Sequence, residues 1–186
     1  MQDLKKAWEG VLGKSAEELK TQLGPIEDRT KGKVGELMKI MPDLPKRLAE
    51  SLSKMDVAKF NNEAPEVSAK FTDILWESIS VLSEKNADLK SKVAAVGDIE
   101  VNFQATDSPM KGYMKISGGK LTGGSVQLKT ATFKTIGPTK VMIGLITGSV
   151  DPIGGFMSKQ YTSEGSMATG MKLSPVMSAV ARALKG

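Results

Sequence analysis

The chain contains no cysteine and no histidine among its 186 residues. Those two absences exclude a disulfide framework, a thiolate nucleophile, a Ser-His-Asp triad, a zinc finger and a histidine-ligated metal. Any catalysis would rest on carboxylates, Lys, Tyr or Ser alone. Unbroken apolar runs are only a few residues long, and the charged start from Met1 to Lys6 leads into no apolar stretch. Neither a signal peptide nor a transmembrane helix is therefore expected. The ending Ala183-Leu184-Lys185-Gly186 does not match the serine-lysine-leucine peroxisomal address. With cysteine absent as well, which fits a reducing compartment, the expectation is a soluble cytoplasmic protein.

Acids become scarce after the first hundred residues. Residues 1–100 carry 16 basic and 18 acidic side chains, whereas residues 101–186 carry 10 and 3, a net of +7. Glycine shifts in parallel, being sparse before Gly97 and dense from Gly112 to Gly170. That is the change expected between helices and strands joined by tight turns. At 40% apolar residues the chain has enough material for a packed core.

The first half reads as helices cut by proline. Leu4, Trp8, Leu12 and Leu19 fall on one helical period that Gly24-Pro25 closes. Val34, Leu37, Met38 and Met41 form a second stripe ending at Pro42, and a third runs from Pro45 through Leu48, Leu52 and Met55 to Phe60. Each polar face mixes acids and bases, so the stripes read as packing faces and not as membrane-surface helices. From Val67 a longer helix carries Phe71, Leu75, Ile79 and Leu82, with Ile74 and Trp76 widening its stripe.

After Gly97 the period becomes two. Ile99, Val101, Phe103 and Ala105 alternate with Asp98, Glu100, Asn102 and Gln104, as in a strand with one buried face. A strand through Met114 and Ile116, a hairpin at Gly118-Gly119, a strand through Val126 and Leu128, and another from Ala131 to Ile136 follow. The short connections imply antiparallel pairing in this stretch. Pro138 then opens a helix through Val141, Met142, Leu145 and Ile146 that ends at Gly148. A turn at Asp151-Pro152, an apolar segment around Phe156 and Met157, and a strand near Tyr161 lead to a last helical segment. It starts at Ser166, with a restart expected at Ser174-Pro175.

The stretch from Leu145 through Thr147-Gly148, Asp151-Pro152 and Phe156-Met157 to Gly165, Met167, Met171 and Leu173 resembles the closing half of the sterol carrier protein 2 domain family. The upstream order of helix, strand meander and helix is similar to that family too, over about Pro65 to Leu184. Lys159 stands where the family usually has glycine, and Gln160, Tyr161 and Thr162 replace its basic-apolar alternation. The resemblance implies an α+β fold: a five-stranded, mostly antiparallel sheet packed against helices. Residues 1–62 are then a helical N-terminal extension and residues 65–186 the lipid-binding domain.

Seven of the eleven methionines lie between Met110 and Met177. Methionine is flexible and polarizable, so it suits a deformable ligand tunnel and an ordinary irregular core alike. Composition alone favours the core; the resemblance favours the tunnel. Its expected walls are Leu145, Ile146, Phe156, Met157, Met167, Met171 and Met177. The implied function is non-catalytic binding and transfer of a hydrophobic ligand, such as a fatty acid, acyl-CoA, phospholipid or sterol-like lipid, without cofactor or metal. The single lysines at 111, 115, 120, 129, 134 and 140 lack the aromatic interleaving of a nucleic-acid surface. They fit a solvated sheet face, or transient contact with an anionic membrane. The alternative is an interaction module with a self-filled core that forms a homodimer through the N-terminal helices, whose stripe with Trp8 and Leu12 needs a partner.

Overall fold

The computed structural model describes residues 1–185. Gly186, the last residue of the expected carrier domain, lies outside the described residues. Six short helices come first: α1 (Gln2–Val11), α2 (Ala16–Gln22), α3 (Gly24–Thr30), α4 (Val34–Ile40), α5 (Leu44–Lys54) and α6 (Val57–Glu63). They lead into the long α7 (Pro65–Lys85), against which α3, α4, α5 and α6 all pack.

Three expected helices are thus cut more finely than the apolar stripes foretell, because capping groups intervene. Ser15 and Glu18 form a reciprocal capping box that starts α2. Gly24-Pro25 opens α3 besides closing what precedes it, since proline fits the first turn of a helix. Asp56 accepts from the Lys59 N–H at 3.0 Å and starts α6 within the third stripe.

The stripe holding Trp8 is not an unpartnered face. Trp8 is fully buried, its Nε1–H donates to Thr30 Oγ1 at 2.8 Å, and its ring lies 6.1 Å from that of Phe71 on α7. Leu12 is half-buried against the same core. The partner that this stripe requires is supplied within the chain.

An unforeseen helix, α8 (Ala87–Val96), follows α7, capped by Asn86 accepting from the Leu89 N–H. It buries only Leu89 and Val93, too few apolar residues to declare a period. Then come β1 (Ile99–Ala105), β2 (Lys111–Ser117), β3 (Lys120–Gly124) and β4 (Phe133–Gly137), α9 (Thr139–Thr147), α10 (Pro152–Met157), β5 (Thr162–Gly165) and α11 (Met167–Lys185). The sheet order is β3-β2-β1-β4-β5. Three neighbouring pairs are antiparallel, while β1 and β4 run parallel. The expectation of purely antiparallel pairing in the meander fails there because the β2–β3 hairpin and residues 125–132 form a return long enough for a parallel partner.

That return also corrects two residue assignments. β3 stops at Gly124, leaving Val126 exposed and Leu128 outside the ladder. Asn102, expected on the solvent side of β1, is buried because its side-chain amide clasps Leu128, donating to its carbonyl and accepting from its N–H, both at 2.9 Å. Elsewhere the outer face is solvated, as where Lys115 pairs with Glu100 at 2.8 Å. On the inner face the Trp76 ring of α7 lies flat against Gly123 of β3. The last helix does not restart at Ser174-Pro175; α11 runs through Pro175. The missing N–H frees one carbonyl, a cost that helices accept where packing holds both halves. No helix among the described residues is long and apolar enough to cross a membrane.

Two stability predictions follow from this packing. Trp8→Ala removes the buried ring that packs against Phe71 of α7 and is expected to cost about 3–5 kcal/mol in urea unfolding. Glu27 on α3 is buried with no hydrogen-bond partner among the described residues, and burial pushes its carboxyl up to about 9. The native chain therefore keeps a proton that the unfolded chain releases near its ordinary value of 4.5. Stability falls as pH rises across that window, by up to about 1.4 kcal/mol per pH unit. Glu27→Gln is expected to flatten this slope relative to wild type; parallel stability curves from pH 5 to 8.5 would contradict it.

Candidate functional site

Strand register builds one wall of a cavity. In the ladder Val101 faces both Met114 on β2 and Phe133 on β4, giving a row of three apolar side chains across the sheet. Two residues on, Phe103 faces Thr135, which faces Ser163 on β5, giving a second row on the same face. All six of these residues line the cavity, whose volume is about 370 Å³.

The opposite wall comes from the helices after β4. Asp107 anchors the start of α9 by accepting from the Thr139 N–H at 2.7 Å and its hydroxyl at 2.5 Å, and this helix delivers Leu145 to the cavity. Asp151 caps α10 through the Gly154 N–H at 2.6 Å. That helix contributes Pro152, Ile153, Phe156 and Met157. Tyr161 packs against Phe156 at 5.9 Å and donates its hydroxyl to the Pro152 carbonyl at 2.6 Å. α11 closes the far side with Met167, Gly170, Met171, Leu173 and Met177. A Cβ on Gly170 would sit 2.9 Å from Phe133 Cζ, so the absent side chain is what allows helix and sheet to meet there.

Six of the seven expected wall residues line this one cavity: Leu145, Phe156, Met157, Met167, Met171 and Met177. Ile146 does not. One residue further round α9, it turns into the core and is buried. The strand contributors Val101, Phe103 and Met114 were legible as an alternating buried face, but nothing in the sequence tells a core-facing strand residue from a cavity-facing one. Ile153 and Tyr161 gave no such signal.

The lining carries no charged side chain. Its polar groups are Thr135, Tyr161 and Ser163; Thr135 donates to the Asn102 carbonyl at 3.4 Å and Tyr161 is engaged with Pro152. Burial, reinforced by the Asp151 charge, raises the Tyr161 phenol above its ordinary value, so it stays neutral at physiological pH. Among the described residues no group of three His, Cys, Asp or Glu side chains is arranged to hold a metal. The mouth is apolar and open: Met157 is 74%, Met171 64%, Ile153 54% and Met167 49% exposed.

The SCP-2 sterol transfer family matches residues 79–178, a span that includes all five strands and every residue of the cavity lining. The chain belongs to that family. Residues 1–78 lie outside the match, so α1–α6 and the first two-thirds of α7 are additional to it. Among solved structures the chain is similar to one titled UbiJ-SCP2 ubiquinone synthesis protein, at 10% identity over 59% of this chain and 98% of that one, with a TM-score of 0.47. It is also similar to the sterol carrier protein domain 2 of Helicoverpa armigera, at 16% identity over 57% and 85% of the two chains, with a TM-score of 0.44. A sec-alkylsulfatase from Pseudomonas sp. aligns with 95% of this chain but with 31% of its own length, at 13% identity and a TM-score of 0.44. No curated protein sequence matches the chain significantly.

The junction behind the cavity yields a prediction. Gly148 ends α9 in the left-handed region, at φ 78° and ψ 16°, and a Cβ there would overlap Ala181 of α11. Gly148→Ala adds backbone strain to overpacking and is expected to cost about 2–4 kcal/mol. Urea unfolding of the full chain measures it.

Proposed function

We propose that the protein binds and transfers a lipid whose apolar part enters this cavity and whose polar head stays at the mouth. The observation that carries the reading is the uncharged lining beneath a rim of exposed Ile153, Met157, Met167 and Met171. A charged head drawn inward would meet no counter-ion, a cost of several kcal/mol. At the rim it meets water. Fatty acid, acyl-CoA, phospholipid and sterol-like ligands all satisfy that division.

Affinity follows from apolar burial alone. Each methylene withdrawn from water contributes about 0.8 kcal/mol, so ten offer about 8 kcal/mol before ordering costs. The same reading makes the protein a carrier and not an enzyme. Anionic membranes are the natural donors and acceptors, since the net charge of +7 on residues 101–186 draws the domain to them. Exposed apolar side chains at the mouth shorten the passage of a lipid tail through water.

Two variants separate binding from transfer. Gly170→Leu places a branched side chain against Phe133 inside the cavity and is expected to weaken uptake of a fluorescent fatty acid at least about tenfold. Met171→Glu puts a charge on the exposed rim; it is expected to preserve uptake from solution and slow transfer from anionic vesicles. Undiminished uptake by folded Gly170→Leu would contradict the cavity as the binding site.

A further inference from the structure

A second recess lies away from the cavity, between α3, α7 and the edge strand β3, with a volume of about 520 Å³. Glu27 borders it, is 1% exposed, and has no hydrogen-bond partner for either carboxyl oxygen among the described residues. A buried acceptor left without a donor is costly, and native structures rarely keep one without a use.

The charged groups around Glu27 do not supply the missing donor. Lys70, the nearest cation, is held by Asp28 at 2.6 Å. Asp73 Oδ1 accepts from the Ser125 N–H at 2.7 Å, and Glu77 Oε2 from the Gly32 N–H at 3.3 Å. Lys31 makes no ion pair among the described residues and stands on the same recess. Four carboxyl groups therefore face two lysines. Asp73 and Glu77, spaced i and i+4, line up on one face of α7. Trp76 and Tyr113 also line the recess, and the half-buried Tyr113 ring offers a face that attracts cations.

We infer that this recess is a binding site for a small organic cation bearing a primary ammonium, whose N–H donors satisfy Glu27 while Asp73 and Glu77 balance its charge. A metal ion fits less well, because no three carboxylates are arranged to ligate one among the described residues. An ammonium brings its own donors and accepts a single carboxylate as its principal partner. Burial holds the empty carboxyl protonated, and the arriving cation reverses that preference, so binding releases a proton.

Calorimetric titration of the full chain with 1,4-diaminobutane at pH 7, in two buffers of different ionisation enthalpy, tests the site. One saturable site is expected, releasing close to one proton per ligand, and the Trp76 indole N–H signal should shift while that of Trp8 stays fixed. Glu27→Gln, which keeps the shape of the protonated carboxyl, is expected to bind at least about tenfold more weakly and to release no proton. No saturable binding above a sodium chloride control at matched ionic strength would overturn the inference. So would equal affinity in Glu27→Gln. Fatty acid uptake by the main cavity is expected to be unchanged in that variant, so failure here leaves the carrier function untouched.

Discussion

The fold depends on α7 being apolar on more than one side. Phe71 receives Trp8 from the N-terminal helices, while Trp76, five residues on, lies against Gly123 of the sheet. A helix buried on two sides in this way joins what composition divides into an acidic helical half and a basic strand-rich half. The buried apolar residues accordingly form one continuous cluster from Leu4 to Leu184. The helices before α7 are thus part of the core, and stripping them away would expose Phe71 and its neighbours to water at a cost of several kcal/mol.

The two ends of the sheet are treated differently, and the cavity is the consequence. At the β3 end the Trp76 indole sits directly on Gly123, leaving no space between helix and strand at that contact. At the β4–β5 end, α10 and α11 meet the sheet only at points such as Gly170 on Phe133, and the side chains between are long, flexible methionines. Methionine fills such a volume adaptably and gives way to a guest at little cost. A rigid, fully packed core would have used branched residues that lock one arrangement.

Much of this was legible in the sequence. The period-two alternation placed β1 and its buried face, and Gly118-Gly119 placed the hairpin, because each pattern has one cheap structural solution. Six of the wall residues expected from the resemblance, between Leu145 and Met177, line one cavity. Three things were not legible. The parallel pairing of β1 with β4 depends on a tertiary return that no local pattern encodes. Asn102 looked like a solvent residue until its amide found Leu128. Ile146 and Leu145 are equally apolar neighbours, and only the rotation of α9 in the folded chain decides which faces the cavity. Glu27 gave no signal at all, since a buried carboxyl and an exposed one are the same letter.

The central claim is that the 370 Å³ cavity is a space for a lipid and not a gap in a self-sufficient core. Native mass spectrometry of the purified full chain, followed by denaturing extraction, tests it most directly. The account predicts a co-purifying lipid at near-stoichiometric occupancy, or its uptake to one equivalent when fatty acid or phospholipid is added. A clean apo mass that takes up neither would contradict it.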